Sequence, residues 1–122
     1  MQKQKLEYEY KGKAMEISFI SRKIEKRCLN EKEMIRKYGD LSQKLKQRLS
    51  ELEAAANLKE LPPFAGCHPL YGNYKHCYAL HLKQPYRLII EPNWHKLGLR
   101  KGQHIELTEI NSIVIVGVID YH

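Results

Sequence analysis

Cysteine is scarce in this chain and has no pattern. Cys28, Cys67 and Cys77 are an odd number with no Cys-x-x-Cys spacing, so neither a disulfide framework nor a zinc ribbon is indicated. Cys67-His68 and His76-Cys77 do set sulfur beside imidazole. Neighbours on extended chain point to opposite faces, however, so no metal and no other cofactor is expected. No apolar run is long enough to span a membrane and no secretory leader pattern is present. The expectation is a cytoplasmic protein with reduced thiols and no membrane partner. Glycine-rich phosphate loops, internal repeats and low-complexity tracts are lacking as well. Acid is in short supply: 14 Asp and Glu stand against 21 Lys and Arg, a formal net charge of +7. An excess of that size draws polyanions, nucleic acid among them.

What is present is enough for one domain. The 122 residues, 43% of them hydrophobic, support a single modest core. Residues 15 to 19 alternate apolar and polar, which predicts a strand with one face on that core. From Ser21 the pattern turns helical. Asn30 with Glu33 reads as a capping box for a helix bearing Met34, Ile35 and Tyr38, with Gly39 as its stop. Asp40 with Gln43 repeats the start signal, and Leu41, Leu45, Leu49, Leu52 and Ala56 then share one face of a long amphipathic helix. Lys44, Lys46, Gln47 and Arg48 fall to its outward face. With Arg22, Lys23, Lys26, Arg27, Lys32, Arg36 and Lys37 they form either a solvated surface or a patch that tracks phosphates.

Leu61-Pro62-Pro63 ends helical continuation, so residues 57 to 66 read as a loop. Residues 71 to 74 read as a turn. Residues 78 to 82 and 86 to 90 are expected to form a hairpin, with Pro85 at a strand start. Residues 91 to 111, interrupted by Pro92, Gly98 and Gly102, show no clear period and read as a long loop. The β-branched run from Ile113 to Ile119 predicts a buried strand. The architecture expected is α+β: β-α-α and then three antiparallel strands, a small twisted sheet with two or three helices on one face.

Several residues stand out for chemistry. Asp120, Tyr121 and His122 follow the buried strand, where a rigid element would hold an acid, a phenol and an imidazole open to solvent. The triplet reads equally well as a strand fraying into polar residues. His68 precedes a turn, and Arg87 is the one arginine in an apolar strand, where it is also readable as a structural arginine tied to an acid. His76 and His81 read as surface or strand-edge histidines. RNA can be cut without metal if one group deprotonates a ribose 2′-hydroxyl, another protonates the departing 5′-oxygen, and a cation steadies the phosphorane. Histidine suits the proton transfers and arginine the phosphate.

Taken in order, the strand from Met15, the helical middle, His68-Pro69-Leu70-Tyr71-Gly72, the strand Pro85-Tyr86-Arg87-Leu88-Ile89-Ile90-Glu91-Pro92 and the closing Asp120-Tyr121-His122 resemble the HigB-type toxins of the RelE/ParE superfamily, also called plasmid maintenance killer proteins. The resemblance covers residues 15 to 122 and marks residues 1 to 14 as an N-terminal extension, in which Leu6, Tyr8 and Tyr10 alternate. It implies the RelE/ParE-like fold and a toxin of a type II toxin-antitoxin module that cleaves mRNA on the ribosome and stops translation. It further implies a HigA-like helix-turn-helix antitoxin as partner. By the same resemblance His122 and Tyr121 lie nearest the proton transfers, Asp120 orients a neighbour, His68 acts with them and Arg87 holds the scissile phosphate. The chain departs from the pattern at Tyr71, where many relatives have lysine. Tyr71 stacking on an unpaired base, or Lys75 reaching in, are the substitutes that this departure suggests for substrate binding. Two rival expectations remain, a ParE-type gyrase poison and a toxin homologue that binds RNA without cutting it.

Overall fold

The computed structural model describes residues 14–121. Leu6, Tyr8 and Tyr10 of the extension, and His122, lie outside the described residues. The chain forms an α+β domain. Strand β1 (Glu16–Phe19) leads to helices α1 (Arg22–Leu29), α2 (Glu31–Tyr38) and α3 (Ser42–Ala54). Strands β2 (His68–Pro69), β3 (Tyr78–His81) and β4 (Tyr86–Pro92) follow, then a one-turn helix α4 (Trp94–Leu97) and strand β5 (Ser112–Asp120). Among the described residues no helix is long and apolar enough to cross a membrane.

Local chemistry accounts for the helix ends. The Ser21 hydroxyl accepts from the Ile24 N–H, and Asn30 Oδ1 accepts from the Glu33 N–H, so each cap satisfies a backbone donor that its helix cannot. The second expected start is not formed as read. Gly39 takes φ +51 and a 3-10 turn over Gly39–Leu41 intervenes. Helix α3 then begins at Ser42 without a side-chain cap. The stretch read as one long loop from 91 to 111 is partly ordered: β4 runs on to Pro92, α4 is capped by Asn93, and a 3-10 turn at Leu107–Glu109 has a full capping box. Residues 57 to 66 likewise hold two short 3-10 turns.

The sheet order is β1-β5-β4-β3-β2. Three neighbouring pairs are antiparallel, and β1 lies parallel to β5 in the register Glu16↔Ser112 to Phe19↔Ile115. The three helices pack on one face. There Cys28, Met34, Leu45 and Leu52 meet Leu80, Leu88, Ile90, Ile113 and Ile115. Among the described residues no α-helix contributes to the small cluster on the other face, where Leu70, Cys77, Ala79 and Ile89 gather with Tyr74, Val116 and Ile119.

A β-bulge interrupts the β4–β5 ladder. Ile89 pairs with Gly117 and Ile90 with Ile115, so Val116 is the extra residue, and Gly117 takes the left-handed side of the map at φ +153. Glycine in a strand interior commonly marks such a site. Its effect is to reverse the alternation: Ile113 and Ile115 face the helices, and after the bulge Val118 does so while Ile119 faces away. This reversal decides what the end of β5 presents.

Candidate functional site

The face without helices gathers basic side chains. Arg87 on β4 stands directly opposite His81 on β3 and Ile119 on β5, and directly opposed residues share a face. His68 on β2 pairs with Ala79, two residues from His81 and therefore on the same side. The His68 and His81 rings lie edge to face with centroids 6.2 Å apart and planes at 62°.

Each of these side chains is held. The His68 Nδ1 is 2.8 Å from the Gly66 carbonyl oxygen. A carbonyl only accepts, so this nitrogen carries the hydrogen and donates it. Gly66 has φ +65, and a β-carbon there would fall 2.3 Å from the His81 ring. One glycine thus supplies an acceptor for one histidine and clearance for the other. Arg87 donates from Nη1 to the Tyr86 carbonyl at 2.9 Å and reaches Gln84 at 3.5 Å. Its Nε is buried and finds no hydrogen-bond partner among the described residues, a costly state that a bound acceptor would relieve. Burial lowers the pKa of His81, and Arg87, His68 and Arg48 push it further the same way.

Arg48 supports the site from behind. The helical period that puts Leu45 and Leu52 in the core carries Arg48 with them, so it is buried at 3% exposure rather than outward, as the charge run suggested. Its Nε donates to the His81 carbonyl at 2.7 Å, its Nη2 to the Phe64 carbonyl at 3.3 Å and its Nη1 to Glu51 at 3.1 Å. The guanidinium also lies 5.6 Å from the centre of the Phe64 ring. A buried guanidinium needs this many acceptors to offset the loss of water.

Asp120 takes a different position from His68 and Arg87. It is in register with Tyr86, one residue beyond the Ile119–Arg87 pair, so by strand alternation it belongs to the helical side. Tyr86 and Val118, which share that side, line a hollow with Lys37, Tyr38 and Leu41. The bulge at Gly117 is the cause. Tyr121, which is 37% exposed, follows the strand with its N–H donating to the Pro85 carbonyl at 3.1 Å.

Tyr71 and Lys75 are both exposed. Tyr71 lines a cleft of about 510 Å³ with Cys67, Leu70, Tyr78, Trp94 and Glu106. Cys67 and Tyr78 pack with the helical side and Leu70 with the other, so the cleft sits at the β2 edge of the sheet. Burial pushes the thiols of Cys28, Cys67 and Cys77 up to about 11, which leaves them protonated near neutral pH. Among the described residues no group of three His, Cys, Asp or Glu side chains is arranged to hold a metal ion.

His81 is the member of this cluster that pattern reading passed over. The available signal was its alternation with Ala79, between Leu80 and Leu82 of the core face. Comparison with protein-family models, with curated proteins and with solved structures finds no match for this chain.

Proposed function

We propose that this protein is a ribosome-dependent mRNA endonuclease of the HigB kind, the toxin of a type II toxin-antitoxin module, cutting RNA by metal-free acid-base chemistry through the 2′-hydroxyl. The observation that carries the reading is the grouping of His68, His81 and Arg87 on the face without helices, with the Arg87 Nε buried and unpartnered among the described residues. Imidazoles transfer protons near neutral pH, and a guanidinium receives a phosphate through two parallel hydrogen bonds. The +7 charge favours approach to RNA and to the ribosome. The order of sequence pieces that resembles the HigB-type toxins supports the same reading. Tyr121 would join the cluster from the end of β5, Tyr71 would stack on an unpaired base, and the resemblance adds His122 to the proton transfers. A HigA-like helix-turn-helix antitoxin is the expected partner, and the site of action is the cytoplasm.

The test is to induce the wild-type protein, Arg87→Ala, His68→Ala and His122→Ala in cells while following growth and mapping mRNA ends. The wild type is expected to arrest growth and create new ends inside reading frames, and Arg87→Ala to do neither. Equal arrest by all four with no new ends would overturn the nuclease reading. Loss of gyrase supercoiling by the purified protein would replace it with the ParE-type alternative, and ribosome binding without cleavage would replace it with the non-cutting one.

A further inference from the structure

His81 is the one residue of the cluster to which the toxin resemblance gives no role, yet its surroundings are the most constructed of the three. Its carbonyl is tied to Arg48 on α3, its ring fits over Gly66, its cross-strand partner is Arg87, and His68 lies beside it from β2. The His68 Nδ1–H is committed to the Gly66 carbonyl, which leaves His68 its Nε2 for exchange with a substrate. Two imidazoles side by side, with an arginine next to one of them, form a surface over which a phosphodiester can lie.

Resting on the endoribonuclease reading, we propose that His81 is a catalytic residue, the general base that removes the ribose 2′-hydroxyl proton while His68 acts as general acid and Arg87 holds the non-bridging oxygens. The His81 imidazole takes the 2′-hydroxyl proton, and the freed 2′-oxygen bonds to phosphorus. The bond from phosphorus to the 5′-oxygen breaks, and the 5′-oxygen receives a proton from the His68 imidazolium. The products are a 2′,3′-cyclic phosphate and a 5′-hydroxyl, and proton exchange with water restores both rings. His81 suits the base because burial disfavours its charged form. Arg87 from β4, His68 from β2 and Arg48 from α3, the last already paired with Glu51, disfavour it as well.

The experiment is single-turnover cleavage of mRNA on programmed ribosomes by the full chain, comparing wild type, His81→Gln and His68→Gln. Each is given a normal substrate and one with sulfur bridging at the 5′ position, whose leaving group needs no acid. His81→Gln is expected to slow cleavage by about 100-fold or more, with unchanged ribosome affinity, an unchanged melting temperature at neutral pH and no recovery on the sulfur substrate. His68→Gln is expected to recover on it. The wild-type rate should rise with pH on the acid side, a limb read without any variant. A flat limb, a His81→Gln rate within about threefold of wild type, or a loss confined to affinity overturns the assignment and leaves the nuclease reading standing. A wild type that cuts neither substrate overturns both.

Discussion

Replacing Arg48 by leucine tests how the site is supported. The substitution keeps much of the side-chain volume and removes every hydrogen bond the guanidinium makes. Two carbonyls, of His81 and Phe64, lose their donor. Glu51, whose side chain is only 15% exposed beside an Arg48 side chain at 4%, loses its counter-charge. Removing one partner of a buried ion pair costs about 3–5 kcal/mol. Glu51 keeps some access to water, so the lower end, about 3 kcal/mol, applies here. At about 2.1 cal/mol/K of unfolding entropy per residue, each kcal/mol moves Tm by about 4 °C for a chain of this length. Thermal unfolding followed by circular dichroism should therefore show Tm falling by roughly 12 °C. Removing Glu51 as well, in Arg48→Leu with Glu51→Leu, should recover part of the loss, because no charge is then stranded. A fall under about 4 °C, or a double variant whose loss is the sum of the two singles, would refute the argument that Arg48 is held by buried pairing.

Gly66→Ala is expected to lower Tm, since a left-handed residue with a β-carbon costs about 1–2 kcal/mol before its contact with the His81 ring is counted; an unchanged Tm together with full cleavage would show that the clearance is not needed. The three thiols, pushed up to about 11 by burial, should react with a disulfide reagent near neutral pH far more slowly in the folded protein than after denaturation, and one fast native thiol would contradict this. His81 has a folded pKa below its unfolded value, so the unfolded chain binds more protons and stability rises with pH across that window. That contribution is complete above the ordinary histidine pKa of about 6.5 and is lost as pH falls from there through the lower value of the folded state. Melting curves at several pH values should accordingly show a smaller acid-side loss for His81→Gln than for the wild type, and parallel curves would refute the sign.

Much of the fold was legible because its signals are local. The alternation at Ile17 and Phe19, the Asn30–Glu33 cap, the leucine face of α3 and the hydrophobic run of β5 each report their own element. What escaped depends on residues distant in sequence. The parallel pairing of β1 with β5 joins segments 96 residues apart, and the two-residue strand at His68–Pro69 exists only because β3 is there to pair with it. Arg48 was misassigned although its helical phase placed it between Leu45 and Leu52, because charge was weighed above period. The orientation of Asp120 was hidden for another reason. A bulge shifts side-chain parity, and Gly117, the sole hint of one, reads within a strand as a minor irregularity.

The seam between β1 and β5 also constrains when the protein can exist as a folded object. Strand β5 is interior to the sheet, flanked by β1 and β4, yet it is the last of the five to be synthesised. A growing chain can hold the helical hairpins and the β3–β4 ribbon, but not a closed sheet, until residues 112–120 leave the ribosomal tunnel. Non-local closure of this kind is slow. Until that closure Arg87 has His81 opposite it but not Ile119.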